Sequence, residues 1–268
     1  MPLILVTNDD GIKSPGLRAA VEAVLPLGEV VVVAPSNQQT CAGRSFRGDD
    51  GESLNPVTIK IGESNVKGYH CHCSPAQIIL HAFDVLFGGK KPDLLVSGIN
   101  YGENLGTNVT ISGTVGAAIQ AASQGVPSLA VSLQTKMEDH CRYPELEWGS
   151  TRHFTHLFAK ILLEKDMPFD VDMLNINVPI SATAATAWKL SRLSRHAYFS
   201  SRVRNPTPSS KIGDGECTHG FEAANLEPDS DIHAFLHGQV SVSPMSIDLT
   251  SRVDLESDQL WNRPRFCS

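Results

Sequence analysis

Two adjacent carboxylates, Asp9 and Asp10, close a short apolar run near the N-terminus. Side by side they repel each other unless protons or a cation neutralise them, and oxygen ligands of this kind suit hard divalent ions such as Mg2+, Mn2+ or Ca2+. Two further polar clusters could share such an ion or its substrate. Asn37, Gln38, Gln39 and Thr40 follow the apolar run that ends at Ala34-Pro35, and Asn100, Asn104 and Asn108 punctuate a glycine-spaced stretch after residues 94–96. That stretch leads into Ser112, Gly113 and Thr114, which open an alanine-rich segment. At a helix start the first amides lack intrahelical partners and the dipole adds partial positive charge. Ser112, Gly113 and Thr114 could therefore present donors to an anion, with Gly113 permitting close backbone approach. A hard cation beside an anion-accepting helix start suits phosphate chemistry, because the ion clamps oxygens and lowers the pKa of water.

These clusters act together only if the fold gathers them. Short apolar runs predict buried strands over residues 3–6, 30–33, 94–96, 129–133 and 173–178, and an alternating pattern predicts a hairpin over 57–61 and 66–70. Helices are expected from Pro15 to about Leu25, from Pro75, from about Val115 and over residues 148–163. The alternation makes an α/β core with a mainly parallel sheet flanked by helices, whose polar clusters lie beyond the C-terminal ends of three strands, where such sheets bind ligands. Beyond Pro179 the sequence turns polar and turn-rich. The alternation of Val240, Val242, Met245, Ile247 and Leu249, followed by Leu260-Trp261, predicts an apolar face that seeks a partner subunit.

A formal charge of −7 without a Lys/Arg cluster argues against a nucleic-acid polymer as the main ligand. The N-terminal apolar run is too short for a signal peptide or membrane span, so the chain reads as cytoplasmic with no membrane partner. Six dispersed cysteines fit reduced thiols. Cys71-His72-Cys73 suggests zinc, but no second ligand pair sits at a suitable spacing. Neither GxGxxG nor a Walker A sequence is present, which weighs against a dinucleotide oxidoreductase or a P-loop NTPase. A non-enzymatic nucleotide-binding module is the other alternative. His233 and His237 qualify as proton-transfer candidates by titration range alone.

TNDDG at 7–11, VVVAPSNQQ at 31–39, SGINYGENLG at 97–106 and SGTVGAA at 112–118 resemble, in order and spacing, the signature blocks of the SurE survival-protein family of metal-dependent 5'-nucleotidases. Weaker echoes are LNINVP at 174–179 and DIHAFLHGQVSVSP at 231–244. The resemblance implies a Rossmann-like catalytic core over residues 1–179 and a β-rich extension over 180–268, with a hairpin and an arm for oligomerisation into a homodimer or homotetramer. It implies hydrolysis of nucleoside 5'-monophosphates with one divalent cation, Mg2+ or Mn2+, per subunit. Carried over by position, the metal ligands would be Asp9, Asp10, Thr40 and Asn100, with Asp9, Asp10 and Asn100 catalytic. Asn104, Ser112, Gly113 and Thr114 would bind the substrate phosphate. Gln38-Gln39-Thr40-Cys41 departs from the family's Asn-Gln-Ser-Gly: Cys41 in place of Gly predicts a reshaped loop, and Ser36 becomes a rival ligand. Gln77 stands where the family carries Asp.

Overall fold

The computed structural model describes residues 1–140 and 142–254; Cys141 and the Leu260-Trp261 pair lie outside the described residues. The chain runs β1 (Leu3–Thr7), α1 (Pro15–Val24), β2 (Glu29–Pro35), β3 (Asn55–Ile61), β4 (Ser64–Cys71), α2 (Pro75–Val85), β5 (Leu94–Tyr101), α3 (Gly113–Ala122), β6 (Ser128–Leu133), α4 (Gly149–Glu164), β7 (Met173–Val178), β8 (Trp188–Leu190), β9 (Ala197–Val203), β10 (Gly215–Gly220), α5 (Asp231–Leu236) and β11 (Val240–Met245). Runs that are apolar at every position, such as Val30 to Ala34 in β2, are buried on both faces, as a parallel sheet covered by helices on two sides requires.

Among the described residues nine strands form one sheet in the order β3-β4-β2-β1-β5-β6-β7-β11-β8. The pairs β2–β4, β1–β2, β1–β5, β5–β6, β6–β7 and β11–β8 are parallel; β3–β4 and β11–β7 are antiparallel. On one face Leu17 of α1 and Phe154 and Phe158 of α4 pack against Ile4, Val6 and Val32. On the other, Ile78 and Ile79 of α2 and Val115 and Ala118 of α3 pack against Leu5, Val31 and Leu95. The chain builds outward from β1 through β2 to β4, then returns to place β5 on the opposite side of β1. This reversal is the topological switch point, and β1 and β5 carry the acidic pair and Asn100 to it.

Two expectations change. The strand expected to stop at residue 96 continues to Tyr101: Gly98, at φ 131°, absorbs a register shift, after which Asn100 pairs with Ser132. Asn100 thus sits at the end of a strand rather than in a loop. The apolar face expected to need a partner is covered within the chain, because β11 lies between β7 and β8 and Val240 and Val242 are fully buried in the sheet core. Ile247 and Leu249, past the strand, are exposed.

Candidate functional site

The turn after β1 is folded by Asn8, whose Oδ1 accepts from the Gly11 amide at 3.1 Å while its Nδ2 donates to the Gly11 carbonyl at 3.2 Å. Gly11 sits at φ 100°, where a side chain would be strained and would press on the Asn37 backbone. The turn is then stitched to the loop after β2, with Gln39 N donating to the Asp9 carbonyl at 2.7 Å and Ile12 N to the Pro35 carbonyl at 2.8 Å. Both acidic side chains are thereby buried: Asp9 is 7% and Asp10 2% exposed.

Asp9 meets the start of α3. Its Oδ1 accepts from Thr114 Oγ1 at 2.5 Å, and the Gly113 and Thr114 amides also bond it. A Cβ on Gly113 would lie 2.7 Å from Asp9 Cβ and Oδ2. The anion that these amides hold is therefore the protein's own carboxylate. Of the three residues expected to meet phosphate there, Ser112 lines the cavity and also caps the helix, its Oγ accepting from Val115 N at 3.1 Å. Gly113 and Thr114 are packed behind Asp9, so the expectation that all three touch phosphate is narrowed to Ser112.

Asp10 accepts from Gln38 Nε2 at 3.0 Å and from the Tyr101 amide at 3.3 Å, and its carbonyl accepts from the Tyr143 hydroxyl at 2.6 Å. Burial raises the Asp9 carboxyl above its ordinary range against the pull of the Thr114 and helix-start bonds. Burial and then the charge of Asp9 hold Asp10 well above that range. Two buried carboxyls pushed toward protonation, one of them also by the charge of the other, are a site that a cation would relieve.

The pair opens into a cavity of about 270 Å3 that Thr40, Asn100, Asn104 and Ser112 also line. Asn100 Nδ2 donates to the Gly102 carbonyl at 2.7 Å, which orients its amide. Asn104 is held by Ser132, bonded through Nδ2 at 2.9 Å, and by Asn175 and Asn177, whose Nδ2 groups donate to its carbonyl. The donors facing the cavity at this end are oxygens of carboxylate, hydroxyl and amide groups, a set that fits a hard divalent cation. Among the described residues no group of three or more His, Cys, Asp or Glu could hold a metal, so the fit rests on two carboxylates plus neutral oxygens.

The rivals lie elsewhere. Ser36 Oγ pairs with His70 Nδ1 at 2.8 Å in a separate cavity beside Lys13 and Arg18. His233 and His237 stack on each other with centroids 4.1 Å apart and do not line the candidate cavity. Gln77 lines another depression with Asp49 and Glu52. Cys41 departs from expectation differently: it takes the left-handed conformation at φ 58°, so the loop keeps a glycine-like geometry and carries the strain.

Sequence reasoning missed other residues that line the cavity, Glu103, Met137, His140, Phe199 and Cys217. Phe199 and Cys217 come from the β9–β10 pair, which is docked on the site loop. Asn108 clamps the Phe199 backbone, donating to its carbonyl at 3.1 Å and accepting from its amide at 2.8 Å. Asp231 Oδ2 accepts from the Gly106 amide at 2.8 Å and Oδ1 from Ser194 N at 2.8 Å. The glycine-spaced asparagines gave a signal for Asn108 as a turn former. Nothing in spacing linked it to a strand 91 residues on.

A family model described as Survival protein SurE matches residues 4–200. The 5'-nucleotidase SurE of Methanothrix thermoacetophila is 38% identical over 266 residues, covering 95% of this chain and 96% of that protein. The 5'-nucleotidase SurE of Thermococcus gammatolerans is 40% identical over 263 residues, covering 94% and 93%. The crystal structure of the SurE protein from Aquifex aeolicus superposes with a TM-score of 0.72 at 30% identity, covering 93% of this chain and 95% of that one.

Proposed function

The chain belongs to the SurE family and is a hydrolase of phosphoric monoesters, and on that premise we propose that its cavity hydrolyses nucleoside 5'-monophosphates to nucleoside and phosphate in a divalent-metal-dependent reaction. The observation that carries this reading is the burial of Asp9 and Asp10 together, each pushed toward protonation, at the β1/β5 switch point in one cavity with Asn100, Asn104 and Ser112. Asp9, Asp10, Thr40 and Asn100 would hold one cation, Mg2+ or Mn2+. When bound it supplies positive charge for the phosphate oxygens and makes water more acidic. Asp9 is aimed by Thr114 and the α3 amides, and Asp10 by Gln38 and the Tyr101 amide. Asn104 and Ser112 face the space that remains and are assigned to the substrate phosphate, with Gly113 and Thr114 acting through Asp9.

Among the described residues no helix is long and apolar enough to cross a membrane. A cytoplasmic setting belongs to the same proposal. So does assembly as a homodimer or homotetramer through the segment after residue 179, supported by the exposure of Ile247 and Leu249 and testable by light scattering at micromolar concentration.

The deciding experiment is phosphate release from a panel of nucleoside monophosphates and small phosphomonoesters, in EDTA and after Mg2+ or Mn2+ is restored. Metal-restored turnover, highest on nucleoside monophosphates, is the expected result. Turnover indifferent to EDTA would remove the metal from the reading.

A further inference from the structure

Cys71 and Cys73 stand outside the phosphate site, and the reaction proposed above uses neither. Cys71 ends β4, and Cys73 N donates to the Cys71 carbonyl at 3.1 Å, closing a three-residue turn. On an extended strand residues i and i+2 share a face roughly 6.5 Å apart, near the upper limit of the Cα separation that a disulfide spans. The turn shortens that span, and the two Sγ atoms are in contact at 2.7 Å. His72 between them turns the other way, into the cavity of Ser36 and His70.

The backbone on either side holds the pair in place. Gly48 bridges Cys73, and a Cβ on Gly48 would lie 3.0 Å from Cys73 Cβ. Ser74 N donates to the Arg47 carbonyl at 2.6 Å. Cys71 and Cys73 are 7% and 6% exposed, and both line an open depression of about 510 Å3 with Arg47, Gln77 and His81, which has room for a small oxidant. Among the described residues no third His, Cys, Asp or Glu completes a metal-holding group with them, so the pair suits thiol chemistry rather than zinc. The bond from the Cys73 thiol draws the Cys71 thiol below its ordinary pKa, which makes Cys71 the better nucleophile.

We propose that Cys71 and Cys73 form a reversible redox site, closed to an intramolecular disulfide by a hydroperoxide and reopened by a dithiol reductant. The Cys71 thiolate attacks one oxygen of hydrogen peroxide and the O–O bond breaks. The sulfur is oxidised to a sulfenic acid, and the other oxygen leaves as water. Cys73 Sγ then attacks the sulfenic sulfur: the S–S bond forms, the S–O bond breaks, and the oxygen leaves with the Cys73 proton as a second water. Two thiols and one peroxide give one disulfide and two waters. A dithiol reverses the step by exchange through a mixed disulfide.

The test treats the full chain with hydrogen peroxide, blocks remaining thiols with N-ethylmaleimide in denaturant, and measures tryptic peptides by mass spectrometry. Both cysteines fall in the peptide of residues 68–90. That peptide is expected to lose two hydrogens and take no maleimide, at least about tenfold faster than the exposed Cys217 is oxidised, and dithiothreitol should restore both labels. Cys73→Ser should stop at the Cys71 sulfenic acid, captured by dimedone. Both thiols still alkylated after Cys217 has been oxidised, or joined to other cysteines instead of each other, overturns the proposal. The wild-type measurement decides this even where a variant fails to fold, and a Cys71 that stays a thiol in folded Cys73→Ser overturns its role as attacking sulfur.

Discussion

Thr114 reaches across 105 residues of sequence to donate its hydroxyl proton to Asp9 Oδ1 at 2.5 Å, so that the start of α3 grips a carboxylate of the protein itself. The bond orients Asp9, and the Gly113 and Thr114 amides draw its carboxyl pKa down against the effect of burial. Thr114→Val keeps the shape and removes the donor. It should lower kcat/KM about tenfold to a hundredfold and raise the Mg2+ concentration needed for half-maximal rate, whereas Thr114→Ser should stay near wild type. A metal titration of both variants checks this, and equal behaviour would mean that the amides alone hold Asp9.

Asp9→Asn and Asp10→Asn each remove charge from the proposed cation site while preserving side-chain shape. Phosphate release should fall on the order of a hundredfold or more in either, with the circular dichroism spectrum retained. Near-wild-type turnover in saturating metal would show that the pair is not where the cation binds.

Thr40 is exposed at the cavity edge, and its proposed contribution is one oxygen. Thr40→Ser should therefore preserve the apparent metal affinity and Thr40→Val should weaken it about tenfold. Ser36, paired with His70 in another cavity, should tolerate Ala with no change in that affinity. The comparison is read from activity against free metal concentration.

The parts of the site that were legible in the sequence are those fixed by local chemistry. Asp9, Asp10 and Ser112 stand at strand ends or a helix start, positions that apolar runs and capping residues mark directly. Asn100 was found for its type, although β5 carries it further along the strand than the apolar run indicated. Glu103, His140 and Phe199 were not legible. Glu103 is distinguished by burial against Tyr198, and Phe199 by a clamp from Asn108, neither of which has a periodic trace. The same holds for β11: its alternation of Val240 and Val242 was visible, but sequence pattern does not say whether β7 or a second chain covers it.

Cys41 holds a left-handed backbone, φ 58°, that costs an L-residue roughly 1–2 kcal/mol and glycine almost nothing. Glycine gives back about 0.4–1 kcal/mol through its freer unfolded chain. Cys41→Gly should therefore be more stable than Cys41→Ala by about 0.5–1 kcal/mol. The alanine variant controls for loss of the thiol. Urea melts of the pair measure the difference, and equal midpoints would show that the loop relaxes around the side chain.

Glu103 should also leave a mark on stability against pH. Burial raises its carboxyl above the unfolded value, overcoming bonds from its own amide, the Tyr198 hydroxyl and the Thr135 backbone, and a weaker attraction to His219. A group raised in this way supports the fold fully below its unfolded pKa, where both states are protonated, and loses that support as pH rises through the folded value. The ionised carboxylate is then better solvated in the unfolded chain. Glu103→Gln has no proton to lose, so its Tm should exceed that of the wild type at pH 8, and the gap should close as pH falls toward 4. Tyr198 and His219 remain in both proteins, which makes the difference between the two curves specific to the carboxyl. A gap independent of pH would assign it to packing, and a wild type more stable than Glu103→Gln at pH 8 would show that the charged form is the one the fold prefers.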